Sequence, residues 1–117
     1  MTSAQSPSPD DRLKHAVQVK DVELVRDLLE SGAGPDCIES SGDSLLHYLA
    51  HEYQVVRSTQ GPVVIEILEL LLAHGANPEH IGANNWRAID VCIEQGVPAL
   101  IEVFVRHGTN PSPREFA

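Results

Sequence analysis

Residues 66–75 read Glu66-Ile-Leu-Glu-Leu-Leu-Leu-Ala-His-Gly75, and a similar pattern occurs once before and once after them. The other two copies are Glu23-Leu-Val-Arg-Asp-Leu-Leu-Glu-Ser-Gly32 and Ala99-Leu-Ile-Glu-Val-Phe-Val-Arg-His-Gly108. Apolar residues recur at helical spacing in each copy, and each copy ends at a glycine, the residue that commonly terminates helices in the left-handed conformation. We therefore predict three amphipathic helices that belong to one repeated unit.

The three glycines also give the length of the unit. Gly32 and Gly75 are 43 residues apart and Gly75 and Gly108 are 33 apart, so a unit of 33 residues with one insertion of ten accounts for both spacings. A shorter helix is predicted ahead of each copy: about Asp11 to Val19, Asp43 or Ser44 to Gln54, and Arg87 to Gln95. Asp21, Gly61-Pro62 and Val97-Pro98 are suitable starts for the second helices.

The insertion is expected within about His51 to Pro62, between the two helices of the second unit. Its residues Tyr53, Val55, Val56 and Arg57 either lengthen the first helix or form a protruding loop. The sequence does not distinguish between the two.

Residues 42–50, Gly42-Asp-Ser-Leu-Leu-His-Tyr-Leu-Ala50, resemble the loop and first helix of the ankyrin repeat, with His47 where that family has its histidine. Residues 85–93, Asn85-Trp-Arg-Ala-Ile-Asp-Val-Cys-Ile93, are similar to the family in the same register. The resemblance implies an all-α ankyrin-repeat solenoid of stacked helix-turn-helix units with hairpin-like loops, over residues 11–111. Its repeats would be about 11–41, 42–84 and 85–111, between flexible tails at 1–10 and 112–117.

The sequence departs from the family pattern at the turn into the first helix. The family's Thr-Pro pair is Ser44-Leu45 in the second unit and Arg87-Ala88 in the third, where Asp90 replaces the histidine; Lys14 replaces it in the first. We expect these replacements to weaken the hydrogen bonding of the turns.

The charge of the chain restricts its partners. The formal net charge is −9, from 17 acidic and 8 basic residues, so nucleic acid and anionic membranes are disfavoured and a basic protein surface is favoured. The sequence has no apolar run of membrane-spanning length and no signal peptide, so we expect a cytoplasmic protein, or a nuclear one in a eukaryote. Cys37 and Cys92 are interpreted as reduced thiols, the second as a core residue.

Little in the sequence favours catalysis. Ser44 with His47 is interpreted as part of a structural turn, as in the ankyrin repeat, and not as a nucleophile and base. His47, His51 and Glu52 have a spacing that can bind a metal, but a further ligand is not evident, so no metal or other cofactor is expected. His74 and His107 recur 33 residues apart just before a glycine, which favours a structural role at helix ends.

The sequence therefore predicts a non-catalytic protein–protein interaction module that uses its concave face and loops, in one version as a stoichiometric inhibitor or immunity-type protein. The alternative is an assembly factor or structural subunit that docks, or self-associates, through its last repeat. Trp86 is the predicted anchor for the partner, and Asp43 is its equivalent in the second unit. The other predicted contact residues are Ser40, Ser41, Ala83 and Asn84 on the loops, and His51, Glu52, Glu94 and Gln95 on the first helices.

The last unit carries an excess of apolar residues. Its second helix contains Leu100, Ile101, Val103, Phe104 and Val105, more than one inward face requires. Either the C-terminal tail with Phe116 covers this helix, or the helix contacts another chain.

Overall fold

The chain folds into α-helices, as the computed structural model shows for residues 9–36, 38, 42–82 and 85–109. These described residues form five helices: α1 (Pro9–Val19), α2 (Val22–Glu30), α3 (Leu45–Ala73), α4 (Ala88–Gln95) and α5 (Pro98–Arg106). The all-α class predicted from the sequence is confirmed. None of these helices is long and apolar enough to cross a membrane.

All five helices end in the same way. A left-handed residue follows each helix, directly after α1 and α4 and one residue later after α2, α3 and α5. The next backbone N–H then donates to a carbonyl five residues earlier, which pairs groups that the helix leaves unsatisfied. The five left-handed residues are Lys20, Gly32, Gly75, Gly96 and Gly108. The matching bonds, from Asp21 to Ala16, Ala33 to Leu28, Ala76 to Leu71, Val97 to Cys92 and Thr109 to Phe104, are 2.9–3.0 Å long. The predicted glycine ends of the second helices, at Gly32, Gly75 and Gly108, are confirmed.

The helices form two short pairs on either side of α3. Two-residue turns join α1 to α2 and α4 to α5, and Asp21 caps α2 by accepting from the backbone N–H of Leu24 at 3.2 Å. Among the described residues, α3 contacts each of the other four helices, whereas neither α1 nor α2 contacts α4 or α5. The helices therefore stack in chain order, with α3 in the middle.

Helix α3 contains the predicted insertion. Gln60 has non-helical angles (φ −127°, ψ 19°), so the helix is kinked between a first segment, 45–59, and a second segment, 61–73, that begins at Gly61-Pro62. The ten extra residues have lengthened the first helix instead of forming a loop. Val55 on this extension is 76% exposed, so the lengthened end projects into solvent.

One apolar core runs through the stack. Its largest fully buried side chains come from all three layers, and they include Leu13 and Val25, then Leu49 and Leu68, then Phe104. A single helix pair cannot bury its apolar face by itself, so each layer depends on its neighbour. Cys92 lies in this core, as predicted, and burial raises the pKa of its thiol to about 12.

We expect Leu68→Ala, in the middle layer, to lower the free energy of unfolding by about 2–5 kcal/mol, because it leaves a cavity where both neighbouring layers meet. Val55→Ala, on the exposed extension, should change it by less than about 0.5 kcal/mol. Urea unfolding followed by circular dichroism measures both. Equal losses for the two variants would contradict the stacked core.

Candidate functional site

Two connecting loops of equal length lead into the first helices of the second and third layers. We call them loop L1 (residues 31–44) and loop L2 (residues 74–87). The same positions carry the same features in both loops: a left-handed residue at Gly42 and at Asn85, and a helix cap at Ser44 and at Arg87. The two loops therefore have a common backbone plan.

Each loop doubles back on itself. In L1, Ile38 and Ser44 form an isolated antiparallel bridge. In L2, the N–H of Gly82 donates to the carbonyl of Trp86 at 2.9 Å, and the N–H of Asn85 donates to the carbonyl of Gly82 at 3.0 Å. Among the described residues, backbone contacts thus join the two sides of each loop.

His47 joins the two loops. Its ring is only 2% exposed, Nδ1 accepts from the backbone N–H of Ser44 at 3.3 Å, and Nε2 lies 2.7 Å from the carbonyl oxygen of Trp86. A backbone N–H can only donate and a carbonyl can only accept, so the ring is neutral with its proton on Nε2. The Ser44 hydroxyl, 2.8 Å from Nδ1, completes the turn.

Four further contacts hold L2 against L1 and His47. His80 Nε2 donates to the carbonyl of Gly42 at 2.8 Å, and the carboxylate of Asp36 accepts from the backbone N–H of Asn77. Gly82 leaves no room for a side chain, because a Cβ there would meet Oδ1 of Asp43 at 2.2 Å and Nε2 of His47 at 2.8 Å. The rings of His47 and His80 meet edge to face at 5.9 Å. The loops are thus fixed relative to each other by side-chain to backbone bonds and close packing.

The third unit replaces the histidine turn with an ion pair. Asp90 accepts from the backbone N–H of Arg87 at 2.9 Å and from its guanidinium at 2.9 and 3.1 Å, and Glu79 accepts a further bond at 3.2 Å. The guanidinium is 5% exposed, and its bond to Asp90 raises the pKa of Arg87. Charge-assisted bonds are stronger than neutral ones. The expectation that these replacements weaken the hydrogen bonding of this turn is therefore wrong.

The predicted contact residues occupy different environments. Trp86 is half-buried and packs against the core, and Asp43 is also half-buried beside Gly82. Ser40, Ser41, Ala83 and Asn84 lie outside the described residues. The structure therefore brings Trp86 and Asp43 to the junction of L1 and L2, and His51, Glu94 and Gln95 are exposed on the first helices.

Glu52 is engaged within the chain. Its carboxylate accepts from Nζ of Lys20 at 2.6 Å, which links α1 to α3. Lys20 is itself the left-handed residue that ends α1, with φ 60°. A partner would have to compete with Lys20 for this carboxylate.

Five residues at the junction were missed by the sequence analysis. No sequence signal marked His80, whose counterpart 43 residues earlier is Cys37, whereas Glu79 corresponds to another acidic residue, Asp36. Ile38 and Ile81 did carry a signal, since they occupy the same position in L1 and L2, and both are exposed. Gly82 could be recognised only from the packing around it.

The described residues contain few groups that could bind a metal ion or act as a nucleophile. No group of three or more metal-ligating side chains is present among them, and the thiol of Cys92 is buried and protonated at neutral pH. An open depression of about 390 Å³ lies on the second helices, lined by Arg26, Glu66, Glu69, Leu70, Ala73 and His107. Arg26 pairs there with Glu66 at 3.5 Å, and Glu69 pairs with Arg106 at 2.7 Å, so the carboxylates of this depression are each compensated by an arginine. His74 and His107 are the C-cap residues of α3 and α5.

No protein-family model matches the sequence, and no curated protein matches it significantly.

The environment of His47 predicts how stability depends on pH. Burial has the largest effect on the pKa of His47 and lowers it. The bond to the Trp86 carbonyl and the charge of Asp43 raise the pKa by less, and the charges of His80 and His51 lower it further, so the net pKa is lowered. The unfolded chain, with a histidine pKa of about 6.5, then takes up a proton before the folded chain does. The contribution of His47 to stability is therefore complete above that pH and is lost as the pH falls from there toward the lowered pKa.

We expect the urea midpoint of the protein to fall between pH 7.5 and pH 5, and to fall less in His47→Gln. The amide can donate to Trp86 and accept from Ser44 without titrating. This variant should be less stable at pH 7.5 by about 1–3 kcal/mol, since its bonds are less well placed. The other histidines are common to both proteins. Equal pH dependence in the two would contradict the role of His47.

Proposed function

We propose that this chain is a small ankyrin-repeat protein that binds a folded, basic protein through loops L1 and L2 and the exposed faces of its first helices. The observation that carries the proposal is the pair of stacked hairpin-like loops, which repeat one backbone plan and are tied together by His47, His80 and Asp36. A surface fixed in this way loses little conformational entropy when it binds, so more of the contact energy appears as affinity.

The repeated geometry supports the ankyrin part of the proposal. Three layers have second helices that end at Gly32, Gly75 and Gly108, and the turns at Ser44 and Arg87 lie at one register. In the ankyrin resemblance these are the positions of the turn and of the helix-ending glycine. His47 fills the family's histidine position with a bond that reaches the next loop.

The composition of the surface supports a protein partner. Exposed Ile38 and Ile81 lie at one position of the two loops, and the half-buried indole of Trp86 lies at the base of L2. Exposed His51 and Glu94 occupy one position on the first helices of the second and third layers. Apolar and aromatic groups with a polar rim are typical of protein interfaces, and the net charge of −9 favours a basic partner.

The same arrangement supports a non-catalytic role. Ser44 and His47, which could resemble a catalytic pair, are both buried. Their polar atoms contact each other at the turn, and His47 also bonds to the carbonyl of Trp86. The Nδ1 atom that would act as a base already accepts from the backbone of Ser44. Binding alone, with inhibition as one consequence for an enzyme partner, is the function these contacts favour.

Trp86→Ala should weaken binding of the partner by roughly tenfold or more, because a large side chain at the centre of an interface commonly contributes about 2 kcal/mol. The partner would be isolated from a host extract on the immobilised protein, then purified and titrated calorimetrically. The indole packs against the core, so some loss of thermal stability is expected as well. The titration is therefore done at low temperature, after circular dichroism has shown that the variant is folded.

Two charge-reversal variants distinguish the face formed by the first helices from the face formed by the second helices, and neither variant changes the core. Glu94→Lys, on the exposed part of α4, should slow association with a basic partner, whereas Glu30→Lys, on the exposed part of α2, should leave it close to normal. The two variants have the same net charge. Unchanged affinity in Trp86→Ala, or equal effects of the two charge reversals, would contradict the proposed surface.

A further inference from the structure

The last layer exposes apolar side chains at positions that are buried in the earlier layers. Counted back from Gly32, Gly75 and Gly108, Val105 corresponds to Leu29 and Leu72, and Ile101 corresponds to Val25 and Leu68. Leu72 is 8% exposed and Leu68 is fully buried, whereas Val105 is 45% exposed and Ile101 is half-buried. The residues differ in exposure because a following layer covers only the earlier ones.

The first helix of the last layer shows the same change. Counted from the caps Ser44 and Arg87, Ile93 corresponds to Ala50. Ala50 is 1% exposed and Ile93 is 37% exposed. Ile93, Ile101 and Val105 thus form an apolar surface at the C-terminal end of the stack, which we call the end face. It is separate from loops L1 and L2.

A carboxylate beside the end face is placed to meet a cation. At each junction inside the stack, one ion pair joins neighbouring second helices: Arg26 with Glu66 at 3.5 Å, and Glu69 with Arg106 at 2.7 Å. Glu102 occupies the position of Arg26 and Glu69, the residue that reaches toward the next layer. It is exposed and forms no ion pair with any described residue.

A second copy of this chain is a poor occupant for the end face. In a head-to-tail contact, α2 of the copy would take the place of a following second helix. The positions that Glu66 and Arg106 hold in the existing junctions are Glu23 and Glu30 in α2, so Glu102 would approach two carboxylates. In a two-fold contact centred on the end face, the two copies would bring their Glu102 carboxylates into the same interface. Both arrangements oppose like charges.

We propose that the end face docks an amphipathic helix of another protein, one that carries arginine or lysine beside its apolar residues. Ile93, Ile101 and Val105 receive the apolar side of this helix, and Glu102 pairs with its cation. Helices of this chain already cover the corresponding positions of the earlier layers, so the surface has the shape for a helix. This surface is additional to the proposed function, and the protein can therefore hold two partners at once.

The test uses two synthetic 18-residue helical peptides with the same leucine and alanine face, one flanked by arginines and one by glutamates. Each is titrated into the ¹⁵N-labelled full chain at low salt and followed by NMR. The arginine peptide should bind about tenfold more tightly than the glutamate peptide and perturb the signals of Ile93, Ile101, Glu102 and Val105. Glu102→Lys should weaken the arginine peptide about threefold to tenfold and favour the glutamate peptide.

Two further variants locate the site. Val105→Asp should weaken both peptides about tenfold, whereas Val55→Asp, equally apolar and more exposed but far along α3, should leave binding unchanged. No perturbation by either peptide would overturn the proposal. Perturbation centred on Ile38, Ile81 and Trp86 would also overturn it, and would leave the proposed function standing.

Two other occupants give distinct results. If the end face served a second copy, sedimentation would show a concentration-dependent dimer that Val105→Asp abolishes. If residues 110–117 of the chain covered it, deleting them would raise peptide affinity about tenfold or more. Either result would overturn the proposal.

Discussion

The ring of His47 lies at the junction of three elements, and each of its nitrogens has one role. Nδ1 closes the turn that starts α3, and Nε2 reaches the carbonyl of Trp86 in the following loop. A neutral imidazole can accept at one nitrogen and donate at the other, which is what a link between a backbone donor and a backbone acceptor requires. This side chain bonds L2 directly to the start of α3, and Gly82 packs against it closely enough to exclude a Cβ.

Apolar packing holds the layers together more than the ion pairs between them do. The layers meet through aliphatic side chains such as Val25, Leu68 and Phe104, whose burial does not depend on salt. The ion pairs that cross the layers on the second helices, Arg26 with Glu66 and Arg106 with Glu69, are exposed and therefore add little. Lys20 with Glu52 is better shielded, and it fixes α1 against the first segment of α3. The exposed ion pairs between layers thus contribute less to folding than the apolar core does.

Much of the fold could be predicted from the sequence because its signals are local. The glycines that end helices and the aspartate that starts one are signals within a single unit, so Gly32, Gly108 and Asp21 could be assigned in advance. The spacing of 33 residues then related one unit to the next. The kink at Gln60 was less accessible: the sequence located the insertion but allowed either a longer helix or a loop. The structure has the longer helix, on which Val56 packs against the core while Val55 is exposed, and the helix continues until Gly61-Pro62 interrupts it.

The contact residues were harder to predict, because they depend on pairs from different units. Arg87 looked like a defective turn residue, and only the positions of Asp90 and Glu79 show that it replaces the histidine turn with a buried ion pair. Glu52 was predicted to contact a partner, but in the structure its carboxylate pairs with Lys20. Exposure at the end face was partly foreseeable, since a repeat whose outer positions remain aliphatic lacks the polar outer surface that a terminal repeat needs.

The middle layer connects the two surfaces of the molecule. Helix α3 contacts all four other helices, its first segment presents His51 beside the loops, and its second segment pairs with α5 through Glu69. The apolar residues that α5 buries against this core, Leu100, Val103 and Phe104, alternate with the exposed ones that form the end face. Any displacement of α5 that improves contact at the end face must therefore also change its packing on α3. Because α3 begins at the His47 turn and also packs on α5, this kinked helix contacts both loop L2 and the last layer.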